Sequence, residues 1–105
     1  MYAMVVQGGT EPAQRDEMNT AVKERLIPAL FAEPGFRGAV NLEDETNGHG
    51  MMLTLWDTKE QATRIPDNAA HQDAMTAIMR VSTGLRAPIS VWHVNALHVE
   101  VAAPA

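Results

Sequence analysis

The stretch from Pro34 to Ala62, PGFRGAVNLEDETNGHGMMLTLWDTKEQA, constrains the fold of this chain more than any other part of it. It reads as strand, turn, strand and helix start. Phe36, Gly38, Val40 and Leu42 alternate with Arg37, Ala39, Asn41 and Glu43, the period of a strand with one buried face. Asn47-Gly48 signals a hairpin, because both residue types tolerate positive φ. Gly50 to Trp56 is a second apolar run of strand length. Asp57-Thr58-Lys59-Glu60-Gln61 then offers two overlapping helix-start boxes, Asp57 with Glu60 and Thr58 with Gln61.

The flanks extend this unit on both sides. Tyr2 to Gln7 is an apolar run of strand length that ends at Gly8-Gly9. Thr10 is placed to cap a following helix, with Glu11 in its first turn. Met18, Ala21, Val22, Leu26, Ala29 and Leu30 recur at helical spacing, and Pro28 predicts a kink or break near Leu26. After Thr58, Pro66-Asp67-Asn68 splits the second helical region, and Asp67 or Asn68 re-caps its second half. Ala74, Met75, Ile78 and Met79 form that half's buried stripe, with Gly84 as its C′ residue. Ile89 to Val101 is the last strand, with Ile89, Val91, Leu97, Val99 and Val101 on one parity. It exceeds the usual ~5–6 residues, so part of it is expected to pair with another chain.

The order is β-α-β-β-α-β, an α+β ferredoxin-like split βαβ fold with a four-stranded antiparallel sheet. Its helices cover one face. The other face needs a cover, which a two-fold homodimer packing sheet on sheet supplies. At 105 residues the chain reads as a single domain, 1–105. A net charge of −5 argues against nucleic acid and against an anionic membrane surface. No apolar run approaches the ~20 residues that span a bilayer, and no signal-peptide pattern opens the chain. The chain has no cysteine, which removes disulfides, thiolate metal sites and cysteine nucleophiles, and the simplest location is cytoplasmic.

The runs PGFRGAVNLEDE, MMLTLWDTKEQA, HQDAM and VWHV together resemble the antibiotic-biosynthesis-monooxygenase-like family of the dimeric α+β barrel superfamily. The sharpest parts are Pro34-Gly35-Phe36 and the Trp56-Asp57-Thr58 strand-to-helix junction. The resemblance implies a homodimer whose two sheets form a barrel, with a small-molecule pocket in each subunit between sheet and helices. Family members include cofactor-independent oxygenases of anthrone- or quinol-like substrates and haem-degrading enzymes. The haem-degrading positions implied by the resemblance fall on Gln7, near Ile65 and near Met75, so the tryptophan and the histidine ligand are lost. His71, one helical turn earlier, is the one available substitute ligand.

Seven side chains form the expected site. His71 titrates near neutrality and suits proton abstraction from a carbon acid, and family members often carry a histidine near this helix position. Gln7, at the end of the first strand, can steady an oxyanion. Trp56 and Trp92 offer flat surfaces for an aromatic ligand, although a buried tryptophan is more commonly core. Met75, Ile65 and Asn41 complete the substrate-binding set. His93 and Asn95 are expected to find partners across the dimer, and His49 and His98 to be solvated or interfacial. Met4, Met51, Met52, Met75 and Met79 suit an adaptable pocket. The four histidines lack metal-ligand spacing, and no phosphate loop or G-x-S-x-G occurs, so no metal and no bound cofactor are expected. The leading expectation is a cofactor-independent monooxygenase of a small aromatic substrate. The alternative is a non-catalytic small-molecule-binding or sensory homodimer, and haem degradation comes third.

Overall fold

The computed structural model describes residues 1–100. Four antiparallel strands form one sheet: β1 (Tyr2–Gly9), β2 (Phe36–Glu43), β3 (His49–Trp56) and β4 (Ser90–His93), in the order β2-β3-β1-β4. Between β1 and β2 runs a helical segment of three parts, α1 (Arg15–Ala21), a π turn (Val22–Leu26) and α2 (Ile27–Leu30). Between β3 and β4 lie α3 (Lys59–Thr63) and α4 (Ala69–Val81). This is the expected α+β ferredoxin-like order. No helix among the described residues is long and apolar enough to cross a membrane.

Pro28 explains the first helix. It brings no N–H, and the widened turn at Val22–Leu26 absorbs the mismatch without ending the helix. Ala21, Val22, Leu26, Ala29 and Leu30 are buried from this segment. The second helical region splits as Pro66 demands. Thr58 caps α3 by accepting from the Gln61 N–H at 3.2 Å, and the Gln61 side chain accepts from the Thr58 N–H at 3.1 Å. The competing Asp57 box does not form, because Asp57 is bound twice by Arg37, at 2.7 and 2.9 Å. That pairing holds the Asp57 carboxyl below the usual carboxylate range. Asn68 re-caps α4 by accepting from the His71 N–H at 2.7 Å. Thr58→Ala is expected to cost about 0.5–2 kcal/mol in chemical denaturation. A Thr58→Asp protein, which keeps the acceptor, is expected to recover most of it.

Cross-strand register assigns the two faces of the sheet, since residues directly opposite share a face. Tyr2 lies opposite Trp56 and His93, Met4 opposite Thr54 and Val91, and Val6 opposite Met52. Trp56 joins Leu26, Leu30, Ala62 and Ala74 in the core, so this parity faces the helices. The other parity carries Val5, Gln7, Met51, Leu53, Leu55, Val40, Leu42 and Trp92. It is apolar, and Val40, Leu42 and Trp92 are exposed in the single chain.

Several local expectations are corrected. A bulge between Phe36 and Gly38 takes up Arg37 and breaks the parity of β2. Phe36 therefore faces the helices with Ala39 and Asn41, while Gly38, Val40 and Leu42 face away. Only Gly48 of the Asn47-Gly48 pair has positive φ, at 74°. The loop closes instead on Asp44, whose carbonyl accepts from the Gly48 N–H at 3.0 Å. Thr10 does not cap the first helix. Its hydroxyl donates to the Val81 carbonyl at 2.6 Å and ties the end of α4 to the end of β1. α4 stops in an extended Ser82 rather than at Gly84, which makes a turn two residues later with φ 104°. β4 spans only Ser90–His93, because β1 offers it only Tyr2 to Val5. At the Ser90 end the Gln7 and Gly9 carbonyls are taken by the preceding Arg86 and Thr83 N–H groups, and past His93 the Val94 N–H bonds the Met1 carbonyl. Leu97 and Val99 are left exposed, and Val101 lies outside the described residues.

Candidate functional site

α4 carries its half-buried and buried residues on one broad stripe: His71, Ala74, Met75, Ala77, Ile78 and Val81. The spacing is that of a helix face turned inward. His71 heads the stripe as the third residue of the helix. Burial pushes its imidazole below the ordinary value, and nearby Glu33 opposes that shift. The N-terminal helix dipole acts in the same direction as burial. The imidazole is consequently neutral at pH 7 and able to accept a proton.

Opposite this stripe stand the helix-facing side chains of the two inner strands. Met4, Val6 and Met52 are half-buried there, where inner-strand residues under a full helix layer would be buried. Asn41, opposite Met52, brings an amide to the same face at the sheet edge. Three of the groups around this thinly covered surface, Met4, Met52 and Met75, are methionines, which repack readily. At the Trp56 end the interface is tight. A cleft of about 10 Å³ between Glu33, Trp56, Gln61 and Arg64 has room for one water.

The other expected residues lie elsewhere. Trp56 is core: it is 3% exposed, and its indole N–H donates to the Thr54 hydroxyl at 2.9 Å. Trp92 is on the opposite face of the sheet and 61% exposed, donating to the Ser90 hydroxyl at 2.8 Å. Ile65 is 81% exposed on the α3–α4 connector. Gln7 and His71 are not brought together. Gln7 pairs with Met51 on the face away from the helices, at the end of β1 tied to Val81. His71 sits ten residues before Val81, about 15 Å along α4 at ~1.5 Å per residue. The Thr10–Val81 bond joins the end of β1 to the C-terminal end of α4, away from the His71 end. His93 bonds Asn95 within its own chain at 3.0 Å and lies edge-on to Tyr2.

Gln7 instead lines a broad concavity of about 610 Å³ on the uncovered face, with Leu42, His49, Met51 and Arg86. Sequence reasoning did not mark Arg86 or Glu33. Glu33 carried a signal: a carboxylate just past a helix C-terminus opposes the dipole and needs a partner. It finds two, Asn68 Nδ2 at 2.6 Å and Arg64 Nη2 at 3.4 Å. Among the described residues no group of three or more His, Cys, Asp or Glu side chains is placed to hold a metal ion.

These features define a class: a ferredoxin-like α+β domain with one open sheet face and a histidine-headed helix over the other. Solved structures narrow it. SnoaB, a cofactor-independent oxygenase from Streptomyces nogalater, matches with TM-score 0.71 at 16% identity, over 94% of this chain and 97% of that one. A proposed antibiotic biosynthesis monooxygenase from Chloroflexus aurantiacus J-10-fl matches with TM-score 0.69 at 19% identity, over 93% and 96%. Rv0793 from Mycobacterium tuberculosis matches with TM-score 0.63 at 14% identity, over 95% and 98%. Neither a protein-family model nor a curated protein matches the sequence. The chain has the antibiotic-biosynthesis-monooxygenase-like fold.

Proposed function

We propose that this protein is a cofactor-independent monooxygenase acting on a flat, acidic aromatic carbon acid of the anthrone or quinol type. The observation that carries the reading is His71, a half-buried imidazole at the head of the α4 stripe whose Met75 and Ile78 pack on the core together with Met52. The ligand lies against that surface, with the methionines moving aside and Asn41 holding a ligand oxygen. His71 takes a proton from the activated methylene. The resulting carbanion adds O₂ through electron transfer and recombination, giving a peroxide anion that regains the proton from His71. Loss of water leaves a carbonyl where the methylene stood. One O₂ is consumed per substrate, one oxygen atom enters the product and one leaves as water, so no external reductant is needed. The fold shared with SnoaB supports this reading. Oxygen uptake and quinone formation in equal amounts with an anthrone probe test it; no uptake above the uncatalysed rate would end it.

The protein works as a homodimer in this reading, in the cytoplasm. The uncovered face presents Val40, Leu42, Leu53, Leu55 and Trp92 together, and an exposed apolar patch of this kind marks an interaction surface. Leu53→Asp, in the middle of that face, is expected to convert a dimer-sized species to a monomer in sedimentation velocity at micromolar concentration. A monomeric wild type would remove the dimer from the account.

A second reading rests on the concavity around Gln7. The Gln7 amide and the guanidinium of Arg86 reach it without a side-chain hydrogen bond to another described residue. A non-catalytic dimer that holds a polar ligand there would retain it through purification without turnover in O₂.

A further inference from the structure

We infer that Glu33 is a positioning residue for His71: its carboxylate fixes the Asn68 amide that caps α4 and faces the imidazole that must carry the proton. The inference rests on the reading of His71 as the base.

The chain of contacts is short. Glu33 follows the last turn of α2, and its side chain is 8% exposed. Its Oε1 accepts from Asn68 Nδ2 at 2.6 Å, a charge-assisted distance. The same amide turns its Oδ1 to the His71 N–H at 2.7 Å. Flipping the Asn68 amide would set its oxygen against the Glu33 carboxylate and its NH₂ against the His71 N–H. The charge on Glu33 thus selects one amide orientation, and that orientation starts the helix at Ala69. The start sets the rotation of the first turn and puts His71 on the stripe with Ala74, Met75 and Ile78.

Glu33 also acts on the imidazole through space. Burial and the α4 N-terminus both disfavour imidazolium, while Glu33 favours it. Other charged groups on the packed elements include Arg64, paired with Glu33 at 3.4 Å, Asp67, which takes a bond from the Gln72 amide at 3.4 Å, and the exposed Lys23, Glu24 and Arg25 of the π turn. Asp73 projects from α4 itself and is exposed. A base that is neutral at rest must still hold a proton during the reaction. A nearly buried carboxylate supplies that support only when the charge appears, the logic by which a base is oriented by a third group. The arrangement also gives a physical reason for the acid after α2. Without Asn68 and Arg64 it would be a buried charge at the wrong end of a helix.

The test follows the four histidine Cε1–H resonances of the whole protein against pH by NMR, in wild type, Glu33→Gln and Glu33→Asp. Glu33→Gln keeps an acceptor for Asn68 and removes the charge. Its His71 midpoint is expected to move down, with His49, His93 and His98 unmoved. Glu33→Asp keeps the charge and is expected to recover part of the shift. With an anthrone probe, Glu33→Gln is expected to lose kcat while KM holds. A His71 midpoint unchanged in folded Glu33→Gln overturns the inference. The titrations need no substrate, so their failure is separate from inactivity of His71 variants.

Discussion

Trp56→Ala is expected to lower stability by about 3–5 kcal/mol, enough to abolish cooperative unfolding at 37 °C or bring it close to that point. The side chain is 3% exposed and packs on Leu26, Leu30, Ala62 and Ala74. Its ring meets Phe36 edge-on at 5.4 Å, an arrangement that adds to simple burial. Removing it also orphans the Thr54 hydroxyl, which is 2% exposed, accepts from the indole N–H and has no other side-chain hydrogen bond among the described residues. An unpaired buried hydroxyl costs a further ~1–3 kcal/mol. A domain of this size has only about 5–15 kcal/mol in total. Trp92→Ala is the control. In the single chain that ring is mostly solvated, so the melting of an isolated subunit should hardly change, while the dimer weakens. Differential scanning calorimetry of both variants, with sedimentation alongside, checks the pair. A Trp56→Ala protein melting within a few degrees of wild type would contradict the core described here.

His71→Ala is expected to reduce oxygen uptake with an anthrone probe by about 10²–10⁴-fold, the usual contribution of a positioned general base. The fold should survive, since the α4 cap involves the His71 backbone and not its ring. The pH dependence has a definite sign. Burial lowers the imidazole below its ordinary value, so the neutral form dominates at pH 7. The wild-type rate is therefore expected to be level near neutrality and to fall as pH drops through the lowered value, on the acid side of a free histidine. The same shift bears on stability. The unfolded chain protonates His71 first, so this residue's contribution is complete above the unfolded value and is lost as pH falls through the interval down to the folded one. Rates in His71→Ala equal to wild type would remove the base from its assigned role, whatever the fold.

Much of this was legible in the sequence because local chemistry and global topology agree. The Thr58–Gln61 box, the Asn68 re-cap and the Pro28 interruption each act within a few residues, and each forms as its residues dictate. The errors arise where a distant contact decides. Arg37 looks like an ordinary strand residue, but its pairing with Asp57 accompanies a bulge that moves Phe36 to the other face. Thr10 looks like a cap until the end of α4 arrives to accept its hydroxyl. The site suffered for the same reason. His71 could be picked from its titration range and helical position. That Gln7 lies across the sheet from it follows only from the β1–β3 register and the α4 tether. Glu33 was missed because its meaning comes from Asn68, thirty-five residues away.

The central claim concerns a face of the sheet, and adjacent methionines report on it. Met52 points to the helices and Met51 to the opposite side. Methyl NMR of the whole protein, titrated anaerobically with an anthrone-type ligand, reads both at once. The account predicts that Met4, Met52 and Met75 shift together with the His71 ring while Met51 stays still. Shifts at Met51 with Met52 and Met75 unmoved would put the ligand on the uncovered face and contradict the account.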